Sequence, residues 1–399
     1  MTIFTEHPSL RWSAPIAAVI VLGGGGMALR TASAAGNDAL PAKTAQQLLV
    51  DVQNAHVDGL SGTIVEDADL GLPDLPISGG GNGSSKLSSL ISGSHTMRVW
   101  ADGTDRLRLS LLGTLGESDV IRNGDDLWLW SSADHEATHV TLPTKGKDAQ
   151  PTPTPSGPAM TPQQLADHFL SAVQPSTKVT TDNTTRVAGR AAYDLVLSPR
   201  AQGSLIDSVH IAIDGKTHVP LRVQVFSEKA ENPAFQVGFS SVDFSRPDAA
   251  QFRFNPPPGT KVTQQKLPDL AQLRSGMTGG QLPKDLASAA RDRATVAKAH
   301  DTPATGAVAG LPSVVGKDWT SVLKVKVPDG LLGDPTASRP DGHSSHSMEG
   351  FLLRLPHVRG DWGSGRLLQS NVMSALLTDS GTLYVGAVTP EVLYAAAAK

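Results

Sequence analysis

The feature that most constrains the fold is a repeated alternation of apolar and polar residues, interrupted by short turn sequences. The segment RLRLSLL, residues 106–112, places leucine at every second position, and the same period returns between residues 208 and 239. A period of two is that of a β-strand with one buried face. Asn123-Gly124 and Asp214-Gly215 lie between such runs and predict hairpin turns. We therefore predict a large antiparallel sheet with one apolar face.

Two segments carry the start signal of a helix. TAQQL begins at Thr44 and TPQQL begins at Thr161, so each has threonine at the N-cap and glutamine three residues later. This arrangement is a capping box, in which the two side chains satisfy backbone N–H groups reciprocally. Apolar residues then recur on one side of each helix. Two helices packed on an antiparallel sheet make an α+β fold.

The N-terminus has the form of a secretory signal. An apolar core from Ile16 to Leu22 is followed by Ala32-Ser33-Ala34, which fits a signal-peptidase site. We predict that residues 1–34 are a signal peptide. The alternative is an uncleaved membrane anchor, because the stretch from Trp12 to Leu29 reaches the minimum span of about 18 residues. Both alternatives put the bulk of the protein in an extracytoplasmic, periplasm-like space.

Composition excludes several classes of function. The chain has 399 residues, no cysteine and a net charge of −4. The lack of cysteine excludes disulfides, thiolate metal sites and cysteine nucleophiles, and the charge offers no broad basic surface for nucleic acid. No nucleophile elbow, P-loop or dinucleotide fingerprint is found where a strand would lead into a helix. We therefore predict a protein that is not an enzyme and that uses no cofactor.

The letters HEATH at residues 135–139 match the H-E-x-x-H pattern of zinc proteases. That pattern binds zinc only on a helix, where side chains four residues apart lie side by side. Here it follows a tryptophan-rich run with strand character and leads into further β-branched residues. On a strand, His135 and His139 would be about 13 Å apart, too far to share one ion. We predict no metal site, and a zinc metalloprotease remains a remote alternative.

Three segments resemble one family. TAQQLLVDVQNAHVDGLSGTI at residues 44–64, RVAGRAAYDLVLSPR at 186–200 and IAIDGKTHVPLRVQVF at 211–226 are similar to LolA-like lipoprotein carriers and to their RseB/MucB relatives. The resemblance covers roughly residues 40–260. It implies a curved half-barrel, with helices on its concave side and a hydrophobic cavity for acyl chains. It also implies that the protein carries lipoproteins or regulates an anti-sigma factor, without catalytic residues.

The chain continues past residue 260, where the resemblance to such carriers ends. We assign residues 39–260 to the half-barrel, 261–310 to a linker that can contain a short helix, and 311–399 to a smaller C-terminal α/β module. In that module two strands are predicted to meet at Asp379-Ser380-Gly381, and Thr389 is predicted to open a final helix.

The candidate ligand site is the apolar face of the half-barrel. A filled core between sheet and helices is the alternative, and the pattern leaves open which residues point inward. The glycine-rich stretch from Leu70 to Ser94 is predicted to be a lid over this face, with a disordered insertion as the alternative. The predicted cavity residues are Leu107, Leu109, Leu111, Trp128, Trp130, Tyr193, Leu195, Val223, Val225 and Phe239, and the predicted lid residues are Leu70, Leu72, Leu75 and Ile77.

Two functions are consistent with this site. The first is an extracytoplasmic carrier or sensor that holds lipid or an acylated lipoprotein. The second is a regulator that acts on an anti-sigma factor through protein–protein contacts. The expected partners are therefore lipid or acylated lipoprotein and a membrane protein, either an anti-sigma factor or a lipoprotein receptor, and no nucleic acid.

Overall fold

The computed structural model describes most of the predicted half-barrel and parts of the C-terminal region. The predicted signal at residues 1–34, the N-terminal part of the predicted helix from Thr161, and the lid residues Leu75 and Ile77 lie outside the described residues. The described ranges are 40–72, 89–90, 92–114, 116–142, 170–171, 173–266, 313–327 and 345–399.

The described residues form two sheets, of which the larger has twelve strands. Its strands are β1 Gly59–Ala68, β2 Gly93–Asp102, β3 Arg106–Leu112, β4 Glu117–Asn123, β5 Asp126–Ser131, β6 Glu136–Thr141, β7 Thr177–Val187, β8 Arg190–Pro199, β9 Ile206–Asp214, β10 Pro220–Ser227, β11 Pro233–Asp243 and β12 Lys261–Lys266.

Two antiparallel meanders make up this sheet. Strands β1 to β6 follow one another in space, as do β7 to β11, and β1 joins the two meanders by pairing with β11. The order leaves β7 and β12 at opposite edges, so the sheet is open rather than closed. The prediction of an α+β half-barrel is confirmed. One departure is β12, which pairs in parallel with β6 although it begins the segment predicted as a linker.

The hairpin turns follow the predicted residues closely. Asn123 pairs with Asp126, so the two-residue turn consists of Gly124 and Asp125, one position later than the Asn-Gly pair suggested. Gly124 has φ +65°, a conformation that glycine adopts without steric cost. Ala188 and Gly189 make the turn between β7 and β8, and both have positive φ.

Helix α1, Ala45–Gln53, begins with the predicted capping box. The side chain of Thr44 accepts a hydrogen bond from the backbone N–H of Gln47, and the Gln47 side chain accepts one from the backbone N–H of Thr44. Leu48 is fully buried and packs against Tyr193 and Leu195 of β8. Burial of such a leucine stabilises the fold by about 1.5–3 kcal/mol. At the end of the second predicted helix, Leu170, Ser171 and Val173 are helical.

The smaller sheet belongs to the C-terminal module and has six strands among the described residues. The elements of the module are β13 Ser313–Val315, β14 Val322–Lys326, α2 Ser345–Arg354, β15 His357–Gly360, β16 Gly363–Gln369, β17 Ser374–Thr378, β18 Thr382–Gly386 and α3 Pro390–Ala397. The strands are all antiparallel, in the order β13-β14-β18-β17-β16-β15. The hydrophobic core lies between this sheet and α3, where Leu376 and Leu393 are fully buried. Thr389 is the N-cap of α3, as predicted.

The two sheets are joined by backbone hydrogen bonds. Ser204 and Val388 form an isolated antiparallel bridge, beside which the Leu205 N–H donates to the Ala387 carbonyl at 3.0 Å. A second contact involves the start of the predicted lid segment. The Asn371 N–H donates to the carbonyl of Leu70 at 2.8 Å, so the C-terminal module fixes the position at which the chain leaves β1.

None of the helices among the described residues is long and apolar enough to cross a lipid bilayer.

Candidate functional site

A row of apolar side chains crosses the centre of the larger sheet. Leu111 in β3 lies opposite Met97 in β2, Met97 lies opposite Ile64 in β1, and Ile64 lies opposite Phe239 in β11. Residues directly opposite each other point to the same side of a sheet. The four side chains therefore share one side.

A second row continues on the same side of the sheet. Val237 lies opposite Val223, Val223 opposite Ile211 and Ile211 opposite Leu195. Val237 and Phe239 are two residues apart in β11, which puts both rows on one side. We call the side defined by these two rows the apolar face.

Most of the predicted cavity residues lie on the apolar face. Three of them are buried and belong to the core, namely Leu111, Tyr193 and Leu195. The filled-core alternative describes Tyr193 and Leu195, because α1 packs on both of them. The other predicted residues on this face are only half-buried, and they are Leu107, Leu109, Val223, Val225 and Phe239.

Trp128 and Trp130 lie on the opposite side of the sheet. In the run DLWLW it is Leu127 and Leu129 that share the side of Val120 and Leu109, because strand neighbours alternate. Sequence pattern could not decide between the two, since both alternate sets are apolar. The tryptophan rings instead stack on other rings, with centroid distances of 4.2 Å from Trp128 to His139 and 5.2 and 5.9 Å from Trp128 and Trp130 to Phe254.

Ile64, Val237 and Ile211 also belong to the apolar face but were not among the predicted cavity residues. The alternation in β9 and β11 does put Ile211 and Val237 on the apolar sides of their strands. Ile64 was less apparent, because β1 reads GLSGTIVEDA and has apolar residues of both parities.

A pocket lies where β1, β10 and β11 meet on this face. It has a cavity volume of about 20 Å³, is partly open to solvent, and is lined mainly by apolar atoms. This volume is below the roughly 300–1,000 Å³ of typical small-molecule sites, so the pocket is one deeper part of an open face. Its lining residues are Ile64, Pro220, Leu221, Arg222, Val223, Val237, Gly238 and Phe239.

One glycine allows the ring of Phe239 to lie close over β1. A Cβ atom added to Gly62 would come within 2.9 Å of that ring and within 2.4 Å of the Ser241 carbonyl. Such distances are too short for real side chains, so a larger residue at this position would displace Phe239 from the pocket.

The motif that carries the family resemblance has a structural role. Arg190 donates two hydrogen bonds to the carboxylate of Asp214, at 2.6 and 2.9 Å. Asp214 also accepts from the backbone N–H groups of Lys216 and Thr217. Burial raises the pKa of Asp214, but its hydrogen bonds with Arg190 and Thr217 outweigh burial and leave the pKa below its ordinary value. Tyr193 of the same motif donates to the Pro41 carbonyl at 2.8 Å, which fixes the start of α1.

The HEATH segment is not helical. His135 lies in a turn with φ +52°, and Glu136 to Thr141 form β6, the outgoing strand of the tryptophan-rich hairpin. This confirms the strand prediction. The Nε2 atom of His139 lies 2.8 Å from Asp126. Among the described residues, no three histidine or acidic side chains are grouped so as to hold a metal ion.

The fold and its apolar face define an α+β half-barrel protein with an attached C-terminal module. No family model matches the chain, and no curated protein matches it in sequence. Solved structures do match. One is the MucA/MucB complex of Pseudomonas aeruginosa, with 16% identity, a TM-score of 0.40, and coverage of 88% of this chain and 96% of the other.

Two further structures match a little more than half of the chain. An uncharacterized conserved protein from Thermus thermophilus has 11% identity, a TM-score of 0.32, and coverage of 55% of this chain and 99% of its own. A LolA superfamily protein from Nitrosomonas europaea has 10% identity, a TM-score of 0.20, and coverage of 53% of this chain and 99% of its own. The matching structures thus include both groups that the sequence resembles.

Proposed function

We propose that this protein is an extracytoplasmic carrier or sensor that holds the acyl chains of a lipid or lipoprotein on the apolar face. The observation that supports this most directly is the set of half-buried residues Val223, Val225 and Phe239, of which Val223 and Phe239 line the pocket with apolar walls. Each square ångström of apolar surface taken from water contributes about 25 cal/mol. An acyl chain laid across these three side chains would remove apolar surface of both the chain and the protein from water.

The chemistry of the face suits an uncharged chain. Ile211, Val223, Val237 and Phe239 offer no hydrogen-bonding side chain, so they bind without selecting a particular head group. The expected ligand is therefore defined by its acyl chains, and specificity for a lipoprotein would come from residues around the face. The secretion signal predicted at residues 1–34 supports an extracytoplasmic location.

The test is mass spectrometry of an organic extract from protein expressed from Ala35 onward. We expect lipid to co-purify in stoichiometric amount and fluorescent fatty acid to bind the delipidated protein. A clean extract, together with no binding of fatty acid or acylated lipoprotein, would contradict the proposal.

A second candidate is a regulator that contacts a membrane-bound anti-sigma factor. The observation in its favour is the C-terminal module, which exceeds what a simple carrier needs and which holds Leu70 at the edge of the apolar face. Regulation would then couple lipid on the apolar face to a protein bound by the module. Calorimetric titration with the extracytoplasmic domain of an anti-sigma factor encoded beside this protein tests it. Binding that changes when fatty acid is added supports the regulator, and no binding in either state contradicts it.

A further inference from the structure

Three polar side chains form a hydrogen-bonded series at the end of the apolar face. The Ser89 hydroxyl lies 3.0 Å from Nε2 of His95, and Nδ1 of His95 lies 2.9 Å from Oε2 of Glu66. All three residues are buried, with exposed fractions of 0% for Ser89 and 3% for each of the other two. A serine, a histidine and a carboxylate at these separations have the geometry of a catalytic triad.

The hydrogen bond with an ionised Glu66 defines the tautomer of the His95 imidazole. An ionised Glu66 can only accept, so Nδ1 of His95 carries the proton that points to it. Nε2 then has its lone pair free to accept the hydroxyl proton of Ser89. This is the tautomer that a general base needs next to a serine nucleophile.

The position of the series relates it to the ligand face. Glu66 and His95 lie opposite each other in β1 and β2, and Glu66 also lies opposite Val237 in β11. Ile64 precedes Glu66 by two residues, so Glu66 shares the side of the pocket residues Ile64 and Val237. Val237, which lines the pocket, is therefore the direct cross-strand neighbour of Glu66.

Apolar side chains at these positions would fill a purely structural role without the free-energy cost of burying polar groups. Burial raises the pKa of Glu66, against the hydrogen bond and charge of His95 that lower it. The second oxygen of Glu66, Oε1, is buried and has no hydrogen-bond partner among the described residues. A buried acceptor without a partner costs about 1–3 kcal/mol. Neighbouring positions on the same face, such as Met97, are apolar and have no such cost.

We propose that Ser89, His95 and Glu66 form a catalytic triad that cleaves carboxylic esters of acyl chains bound on the apolar face. The proposal rests on the lipid-binding function proposed above. Ser89 is the nucleophile, His95 the general base and acid, and Glu66 the positioning residue that orients His95. The dry surroundings strengthen the charge interactions within the triad.

The reaction proceeds in two balanced steps. Oγ of Ser89 attacks the ester carbonyl carbon while its proton passes to Nε2 of His95, and the carbonyl π electrons move to oxygen. The tetrahedral intermediate collapses, the carbon–oxygen bond of the alcohol breaks, and the leaving alcohol takes the proton from His95. Water then attacks the acylated Ser89 in the same way, which releases the fatty acid and restores the hydroxyl.

The experiment uses the full chain from Ala35, a fluorophosphonate probe and p-nitrophenyl esters of increasing chain length. We expect one probe adduct per molecule, located at Ser89 by peptide mass spectrometry, and hydrolysis that is faster with long chains than with short ones. Ser89→Ala should lose the adduct and at least about a hundredfold of kcat/KM. Ser110→Ala, at another buried serine on the opposite side of the sheet, should keep both.

Glu66→Gln tests the positioning role through the separation of kcat from KM. The amide can still accept a hydrogen bond from Nδ1 of His95, but it removes the negative charge beside the imidazolium that forms during attack, so kcat should fall while KM stays unchanged and the Ser89 adduct forms more slowly. A merely structural Glu66 would change stability without lowering kcat of the folded protein.

Failure of the triad can be distinguished from failure of the lipid-binding function. A folded protein that binds fatty acid but forms no adduct and hydrolyses esters no faster than Ser89→Ala overturns the triad alone. A protein that is labelled at Ser89 but binds no fatty acid overturns the lipid-binding function alone.

Discussion

The guanidinium of Arg190, at the start of β8, binds both carboxylate oxygens of Asp214, at the end of β9. Asp214 is 1% exposed, whereas 29% of the Arg190 side chain is exposed. The pair joins two strands at the point where the chain turns toward β10. Charge-assisted bidentate pairs of this kind are stronger than ordinary hydrogen bonds and impose a fixed geometry.

We expect Asp214→Asn to lower the free energy of unfolding by about 2–4 kcal/mol. The amide cannot replace both ionic hydrogen bonds, and Arg190 is left without its counter-charge. Urea denaturation at pH 7 measures the change. The control is Glu136→Gln, which removes an exposed ion pair with Lys261 and should cost less than about 0.5 kcal/mol. Equal effects of the two substitutions would contradict this account of Asp214.

Stability should depend on pH through the same carboxyl group. The pKa of Asp214 is lowered in the folded protein, so its ionised form is stabilised by folding. This contribution is fully present above the unfolded pKa of about 4 and is lost as pH falls through the folded pKa. The difference in unfolding free energy between wild type and Asp214→Asn should therefore shrink below about pH 4. A difference that stays constant from pH 7 to pH 2 would show that the effect is not electrostatic.

Val225→Asp should weaken the binding of fluorescent fatty acid at least about tenfold, because it puts a charge on the apolar face where an acyl chain must lie. Gln224→Asp is the matched control, since it alters the neighbouring residue in the same strand, which points to the other side. There Gln224 donates to Gln236 at 2.6 Å. Fluorescence titration gives both dissociation constants. Similar losses in the two variants would mean that the ligand does not lie on the apolar face.

His135→Ala and His139→Ala should leave lipid binding unchanged. Neither residue belongs to the apolar face, and His139 instead contacts Asp126 and the ring of Trp128. Calorimetric titration with zinc should show no nanomolar site in the wild-type protein. One equivalent of zinc bound with nanomolar affinity, and lost in either variant, would restore the metalloprotease alternative.

Much of the fold could be predicted because its signals are local. The alternation in β3, the capping box at Thr44 and the helix start at Thr389 all depend on residues within a few positions of one another. Each element formed where its own sequence favoured it. Local patterns could not predict that β1 pairs with β11 or that β12 pairs in parallel with β6. No local pattern indicates which distant strand becomes a neighbour.

The candidate site was predictable only in part for the same reason. Alternation correctly placed Leu109 and Val223 on the apolar face. Trp128 was assigned to the wrong side of the sheet, because its strand has apolar residues on both sides. Ser89, His95 and Glu66 come from three different segments and form no motif with a defined spacing. Their meeting depends on the register between β1 and β2, which only the folded chain reveals.

The central position of β1 has a consequence for how the protein folds. One edge of β1 pairs with its immediate successor β2. The other edge pairs with β11, which is synthesised after nine intervening strands. Until β11 arrives, that edge of the nascent sheet presents unpaired backbone groups and is open to wrong partners. Such distant pairing gives a high contact order, so closure of β1 on β11 should be the slow step of folding. A chaperone that shields this edge before β11 is synthesised would act on the step most exposed to aggregation.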